Sequence, residues 1–432
     1  MMPKPPFISI PLDIPDLRVL QTDLTQANEF ILTVESTLDS TSCRRCGRTI
    51  TEPHGTDQPR LLRHLPILGR PVYLRIRPKR FRCPFCDDHP TTTQQLDWYD
   101  PNALHTKAYE RHLIVQMINS TLTDVTEKED VSYDALLGIL DRTIASAVEW
   151  ERLEAFTTIG IDEIALLKGQ RDFVAVISAL TEGGDLHVLA VLPDRLKTSV
   201  VTWLQSMPER VRACVTTVCT DIWEGYITAV QEVLPTATIV IDRFHVARHY
   251  RNAVDELRKQ EIGRLQKELP KAAQDDLKHT LWPFRKREAD LEAEEQVRLE
   301  GLFAHSPMLH HAYRLREQLT TIFDTARSKK DGLRRICYWR ARVAKSGLKC
   351  FDAFLKLLDT WLDLIANYFI NRQSSGFVEG LNNKLKVLKR RCYGLRNIVR
   401  LFQRLTLDLE GYRRFSPWRA VPPICSAVSG NS

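Results

Sequence analysis

Acidic residues are missing from two long stretches of this 432-residue chain, although it holds 54 of them. Arg60–Arg82 contains eight basic residues and no acid, and Gly380–Leu407 repeats that balance. An even spread would leave neither stretch empty, so both are expected to face a polyanion. Long apolar runs are missing as well. The nearest to one, FDAFLKLLDTWLDLIANYF, is broken by Lys356, Asp359 and Asp363, which makes it an amphipathic helix rather than a membrane span. The opening MMPKPPFISIPLDIP is interrupted by prolines and lacks the apolar core of a secretory signal. Of ten cysteines, six are scattered and four form two CxxC pairs. That usage suits a metal site in a reducing cytoplasm better than a disulfide framework. What is present, 43% hydrophobic and 27% charged residues with a net charge of +7, fits a soluble, mildly basic globular protein. Such a charge permits a nucleic-acid partner without establishing one.

The first hundred residues read as strands around the two cysteine pairs. FILTVEST alternates, and RLLRHLPILGRPVYLRIRPKR alternates arginine with apolar residues. Cys43, Cys46, Cys83 and Cys86 form two knuckles, and four thiolates close a tetrahedral zinc site of the ribbon kind. His54, His64 and His89 are spare ligands, and buried or redox-active cysteines are the plainer alternative. One face of the intervening strands would present Arg75, Arg77, Lys79 and Arg80 to phosphates; a merely solvated face is the alternative.

From residue 102 the apolar period changes from two to about 3.6. Helices are expected at His105–Asn119, Leu122–Lys128 and Ser132–Glu151, with Ser132 as N-cap. The short middle helix and the EDV turn suggest a helix-turn-helix, a plain helical linker being the alternative. TIGIDEIALL, RDFVAVISAL and DLHVLAVLP then read as three strands, followed by a helix (TSVVTWLQSMPERV), a strand (ACVTTVCTD), a helix (EGYITAVQEVL) and a strand (ATIVIDRFH). By analogy that is the element order of the ribonuclease H-like fold, in which the first and fourth strands are neighbours. Residues 246–365 are helical in pattern and carry Trp282, Trp339 and Trp361, as a long insertion into that fold would. The expected division is a zinc ribbon at 1–100, a helix-turn-helix at 101–155, a catalytic first part at 156–245, the insertion at 246–365, closing helices at 366–412 and a flexible tail at 413–432.

Three of these elements deliver an acid: Asp162 on the first strand, Asp221 after the fourth, and Glu379 on the helix SSGFVEGLNNKLKVLKRR. Carboxylates on neighbouring strands and a covering helix are what two hard divalent cations need for phosphoryl transfer. Glu163 should point to the opposite side of its strand and is the weaker candidate. Asp242 and His245, three apart, could orient one another or reach the scissile phosphate; capping of the strand end is the alternative. Glu379, Asn382, Asn383 and Lys386 share a helix face by their spacing. Lys384, Lys389, Arg390, Arg391, Arg396, Arg400 and Arg404 extend a basic surface on which Tyr393 could stack a base. For the insertion tryptophans, core packing competes with a role in holding an unpaired end base.

CRRC and CPFC, the helices that follow, IGIDEIA, CTDIWEGYITAV, AxIVIDRFHV and SGFVEGLNNKLKVLKRRCYGLRN stand in one order over nearly the whole chain. In these motifs the chain resembles bacterial insertion-sequence transposases of the ISL-three family. The resemblance implies a DDE triad at Asp162, Asp221 and Glu379 served by two magnesium ions (manganese being the substitute), and one structural zinc. The Asp242–His245 pair is similar to the motif that accompanies helically inserted DDE domains. It implies double-stranded DNA as substrate, both the element's ends and the target, and at least a homodimer on DNA in the bacterial cytoplasm. The chain departs from the pattern in its acid-rich turn, Glu127, Glu129 and Asp130, ahead of the supposed recognition helix. The competing readings are a non-catalytic DNA-binding regulator and a nuclease that cuts without joining.

Overall fold

The computed structural model describes residues 11–166, 173–371, 376–392 and 395–416. The chain divides into two compact units, Met1–Thr143 with Glu410–Ser432, and Ile144–Leu409.

In the first unit alternation in the sequence becomes a four-stranded sheet of order β1-β2-β7-β6, from β1 (Leu17–Leu24), β2 (Phe30–Ser36), β6 (Arg60–Ile67) and β7 (Arg70–Ile76). The last two form a hairpin whose turn, Leu68–Gly69, has positive φ at both residues (52° and 74°), the mirror-image turn that matches strand twist. Alternate residues Leu62, Val72, Leu74 and Ile76 meet Leu32, Val34, Leu96 and Tyr99 in the core. Shorter strands, β3 (Thr41–Ser42) with β4 (Thr49–Ile50), and β5 (Glu52–Thr56) with β8 (Lys79–Arg82) and β9 (Thr91–Thr93), carry the cysteine knuckles.

Three helices follow, α1 (Lys107–Met117), α2 (Leu122–Glu129) and α3 (Tyr133–Thr143). Hydroxyls start each of them: Thr106 accepts from the Tyr109 amide, Thr121 forms a reciprocal box with Asp124, and Ser132 accepts from the Ala135 amide at 3.3 Å. α3 is shorter than the expected Ser132–Glu151. It stops where the Thr143 hydroxyl turns back onto the Ile139 carbonyl, and Trp150 and Val148 join a different core.

The second unit is built on a five-stranded sheet, order β12-β11-β10-β13-β14. β10 (Phe156–Ala165), β11 (Phe173–Thr181) and β12 (Leu186–Leu192) form an antiparallel meander, and β13 (Thr217–Thr220) and β14 (Thr238–Ile241) add in parallel. Parallel pairing requires crossovers, supplied by α4 (Lys197–Ser206), α5 (Glu209–Arg212) and α6 (Glu224–Val233). Pro208 splits the single helix expected from TSVVTWLQSMPERV into α4 and α5. One sheet face, with Ile159, Ile161, Ala175 and Ile177, packs on Val200, Leu204, Ile227 and Val230 of α4 and α6. The opposite face, with Ile164, Val174, Val176 and Val188, is covered by Leu381, Leu385 and Leu388 of α14 (Gly376–Arg391) and by Leu401, Phe402 and Leu405 of α15 (Ile398–Phe415).

Between β14 and α14 run α7 (Arg243–Glu268), α8 (Leu281–Arg285), α9 (Ala293–His305), α10 (Pro307–Thr325), α11 (Lys329–Ser346), α12 (Asp352–Ala366) and α13 (Tyr368–Asn371). Their apolar stripes share the α4–α6 core. This helical segment is fastened to the sheet where the Asn367 side-chain amide donates to the Ile239 carbonyl at 2.7 Å. None of the helices, among the described residues, is long and apolar enough to cross a membrane.

Candidate metal centre and nucleic-acid surface

Side chains alternate along β10, so Asp162 shares its face with Ile164, the face on which α14 packs. Parallel pairing sets Ile161 beside Thr220, and the residue that follows each is an aspartate. Asp221 thus leaves the sheet next to Asp162. α7 begins one strand further on. Asp242 caps it, accepting from the Phe244 amide at 2.7 Å, and His245 sits in its first turn with Nδ1 donating to Asp221. Donor atoms of Asp162, Asp221 and His245 all lie within 4.8 Å of one another. Burial alone would lower the His245 pKa. The hydrogen bond to Asp221 and the charges of Asp221, Asp242 and Asp162 overcome it and hold the imidazole up at about 9. Asp242 and His245 therefore do not orient one another: the imidazole bonds Asp221, and Asp242 serves as a helix cap.

Glu163, on the other side of the strand, takes an ion pair from Arg195 at 2.9 Å. The Arg195 guanidinium lies 4.4 Å from the Trp223 ring centre and 4.8 Å from that of Phe173. Tyr226, in the first turn of α6, is sealed from solvent. Its hydroxyl has no partner among the described residues; burial and the charges of Glu163, Asp221 and Asp162 push its pKa up, against the opposing charge of Arg195. Neither Arg195 nor Tyr226 was picked out by sequence reasoning. The tyrosine's offset of five from Asp221 was the one available signal. Glu379 lies on α14, which packs on β10; its side chain, that of Asn382, and Tyr393 lie outside the described residues.

In the first unit the sulfurs of Cys43, Cys46, Cys83 and Cys86 cluster within 4.8 Å. Cys46–Cys83 and Cys83–Cys86 stand 3.7 and 3.6 Å apart. Zn–S bonds of about 2.3 Å in a tetrahedron set sulfurs about 3.8 Å apart, whereas a disulfide needs about 2.05 Å. The spacing fits the zinc. Backbone amides of Cys46 and Arg45 pull the Cys43 thiol down to about 6, while burial and the neighbouring sulfurs push Cys86 up to about 12. Of the spare histidines, His64 is buried against the Thr106 hydroxyl at 2.9 Å, and His89 bonds the Cys83 carbonyl at 3.0 Å.

The family model of the ISL3 (ISL-three) DDE transposases, described as "Transposase", matches residues 159–405, more than half of the chain. The chain belongs to that family. A second model, the zinc-finger of the transposases of IS204, IS1001, IS1096 and IS1165, matches residues 39–86 and spans all four clustered cysteines. The transposase for insertion sequence element IS1001 of Bordetella parapertussis is 24% identical over 376 residues, 86% of this chain and 89% of that one. The transposase for IS1557 of Mycobacterium tuberculosis (strain H37Rv) is 24% identical over 400 residues, 87% of each.

On this ISL3 chain the residues expected to touch DNA divide into two groups. Arg75, Arg77, Lys386, Arg390 and Arg396 are exposed. Lys79 is paired with Asp39 at 2.6 Å, Arg80 donates to the Thr91 hydroxyl, and Lys389 donates to the Ala165 carbonyl. Lys384 donates to the Asp408 carbonyl, and Arg391 and the buried Arg404 pair with its carboxylate. Arg400 bonds Gln403 at 3.0 Å. Of the acid-rich turn, Glu127 and Asp130 are exposed and Glu129 is half-buried. Glu129 takes the Tyr109 hydroxyl and the His112 ring, and Asp130, in the left-handed region, ends α2. Trp339 is buried with its indole N–H on the Leu315 carbonyl, and Trp361 packs on the same core, whereas Trp282 is exposed beneath Arg285.

Proposed function

We propose that this chain is the DNA transposase of an insertion element, cutting phosphodiester bonds at the element's ends and joining the freed 3′ ends to target DNA. The observation that carries the reading is the convergence of Asp162, Asp221 and His245 within 4.8 Å, inside a chain of this family. Carboxylate oxygens with one imidazole are donors for hard divalent cations, and the Tyr226 hydroxyl beside them, without a partner among the described residues, offers a further oxygen to an ion or its water. Asp162, Asp221 and Glu379 would hold two magnesium ions, or manganese, on a ribonuclease H-like sheet. Bound there, the ions supply Lewis acidity at the phosphate and hydroxide near neutral pH.

The chain's own groups do the rest. Asp221 fixes the His245 ring, whose other N–H would bond a phosphate oxygen or give its proton to a departing 3′ oxygen. Glu163 and Arg195 neutralise one another and set the Trp223 indole at the rim. The zinc ribbon and α1–α3, read as a helix-turn-helix, position double-stranded DNA through Arg75 and Arg77, and Lys386, Arg390 and Arg396 take phosphates near the acids. The chain acts in the bacterial cytoplasm on nucleoid DNA, as a homodimer or larger assembly that pairs two ends.

Incubation with magnesium, a labelled element end and a target plasmid tests this. Joined products are expected. Binding alone would leave a regulator, and cutting without joining a nuclease.

A further inference from the structure

The charge of α11 is one-sided. Lys329–Ser346 holds seven basic residues against one acid, Asp331. The helix buries Gly332, Ile336, Trp339 and Val343, and turns Arg334, Tyr338 and Arg342 to solvent in one row. Residues four apart on a helix stand about 6 Å from one another along its axis. Beside the row lies a groove of about 600 Å³, whose far wall includes Arg314, Glu288 and Glu317.

Both acids of that wall are engaged within the protein. Glu288 grips Arg314 through two contacts of 2.6 Å, and Glu317 holds Arg316 and the Glu288 amide. Arg334 and Arg335 share the single carboxylate of Asp331, and Arg342 pairs with none of the described residues. The groove therefore keeps a positive excess. A basic helix face is ordinarily just a solvated face, but such a face has no need of an aromatic ring. Tyr338 is 69% exposed in the middle of the row, with an arginine one turn away on either side.

We propose that this groove binds a DNA strand, an unpaired base stacking on Tyr338 while Arg334 and Arg342 neutralise the flanking phosphates. Planar guanidinium groups match phosphate oxygens, an open tyrosine ring accepts any base, and the volume admits a nucleotide. The inference rests on the reading of the chain as a DNA transposase and adds a strand-binding surface on the helices between β14 and α14.

Fluorescence anisotropy of the full chain tests it, with an element-end duplex that is either blunt or carries a short single-stranded extension containing 2-aminopurine. Tyr338→Ala is expected to weaken binding of the extended duplex about ten-fold, to leave the blunt duplex unchanged and to abolish 2-aminopurine quenching; Tyr338→Phe should restore both losses. Arg334→Glu with Arg342→Glu is expected to make the log Kd–log salt slope shallower by about two. All these side chains are exposed, so melting should not change. Variants that bind both duplexes as the wild type does overturn the proposal. Variants that lose self-association but keep DNA affinity overturn it too, in favour of an interface between copies. A wild type that binds neither duplex sinks the transposase reading itself.

Discussion

At Tyr226 a hydroxyl is sealed among Glu163, Asp221 and Asp162 without a partner among the described residues. A buried donor left unmatched costs about 1–3 kcal/mol, so the group is poorly explained by stability and well explained by a site completed on cation binding. Tyr226→Phe is expected to leave the metal-free melting temperature equal or higher, while shrinking the rise that manganese produces. A lower metal-free value with an undiminished manganese rise would give Tyr226 a structural role only. His64 makes the opposite case. Burial lowers its pKa against a backbone contact from Leu12, so the folded value lies below the unfolded one of about 6.5. Its contribution is complete above that value and lost as pH falls through it toward the folded pKa. Urea unfolding of the first unit should therefore weaken from about pH 7.5 to about pH 5, and weaken less in His64→Gln. Sequence order put Asp162 and Asp221 side by side, as the structure does, because strand alternation and strand order are local or topological rules. It did not show that His245 would bond Asp221 rather than Asp242, since the start of α7 turns the ring away from its own cap.

Among the elements, the knuckles were the most legible, because four thiolates at fixed spacing have one common geometric solution. Removing zinc from the ribbon is expected to unfold the strands around Cys43 and Cys83, where Ile50 and Phe81 complete a core of few residues. Amide exchange after chelation should rise there and stay low in β10–β14; protection retained around Phe81 would mean that the core does not need the ion. α14 was legible only in part. Its period gave a helix and its charge a polyanion face, yet Lys384, Lys389 and Arg391 spend their charge on Asp408 and the Ala165 carbonyl. Charge counts along a helix do not say which side meets a neighbour. Likewise the acids of the α2–α3 turn looked alike in the sequence, yet Glu129 is an internal partner of Tyr109 and His112 while Glu127 and Asp130 stay exposed.

At the scale of the molecule, residues far apart in sequence serve one sheet. The helices between β14 and α14 share a single core with α4 and α6, and α14, more than a hundred residues after β14, packs directly on the sheet. Element order made that plan readable, since helical and strand periods differ, but the packing of α8–α13 depended on contacts no period encodes. The proposed metal centre requires Glu379 to join the two aspartates from α14. The decisive measurement is the single-turnover rate of magnesium-dependent cleavage of a labelled element end by Glu379→Gln, at concentrations where end binding matches the wild type. Loss of one ligand carboxylate should remove several kcal/mol of transition-state stabilisation, a rate lower by about a thousand-fold. A rate within a few-fold of the wild type would contradict a third acid at this position, and with it the metal centre described above.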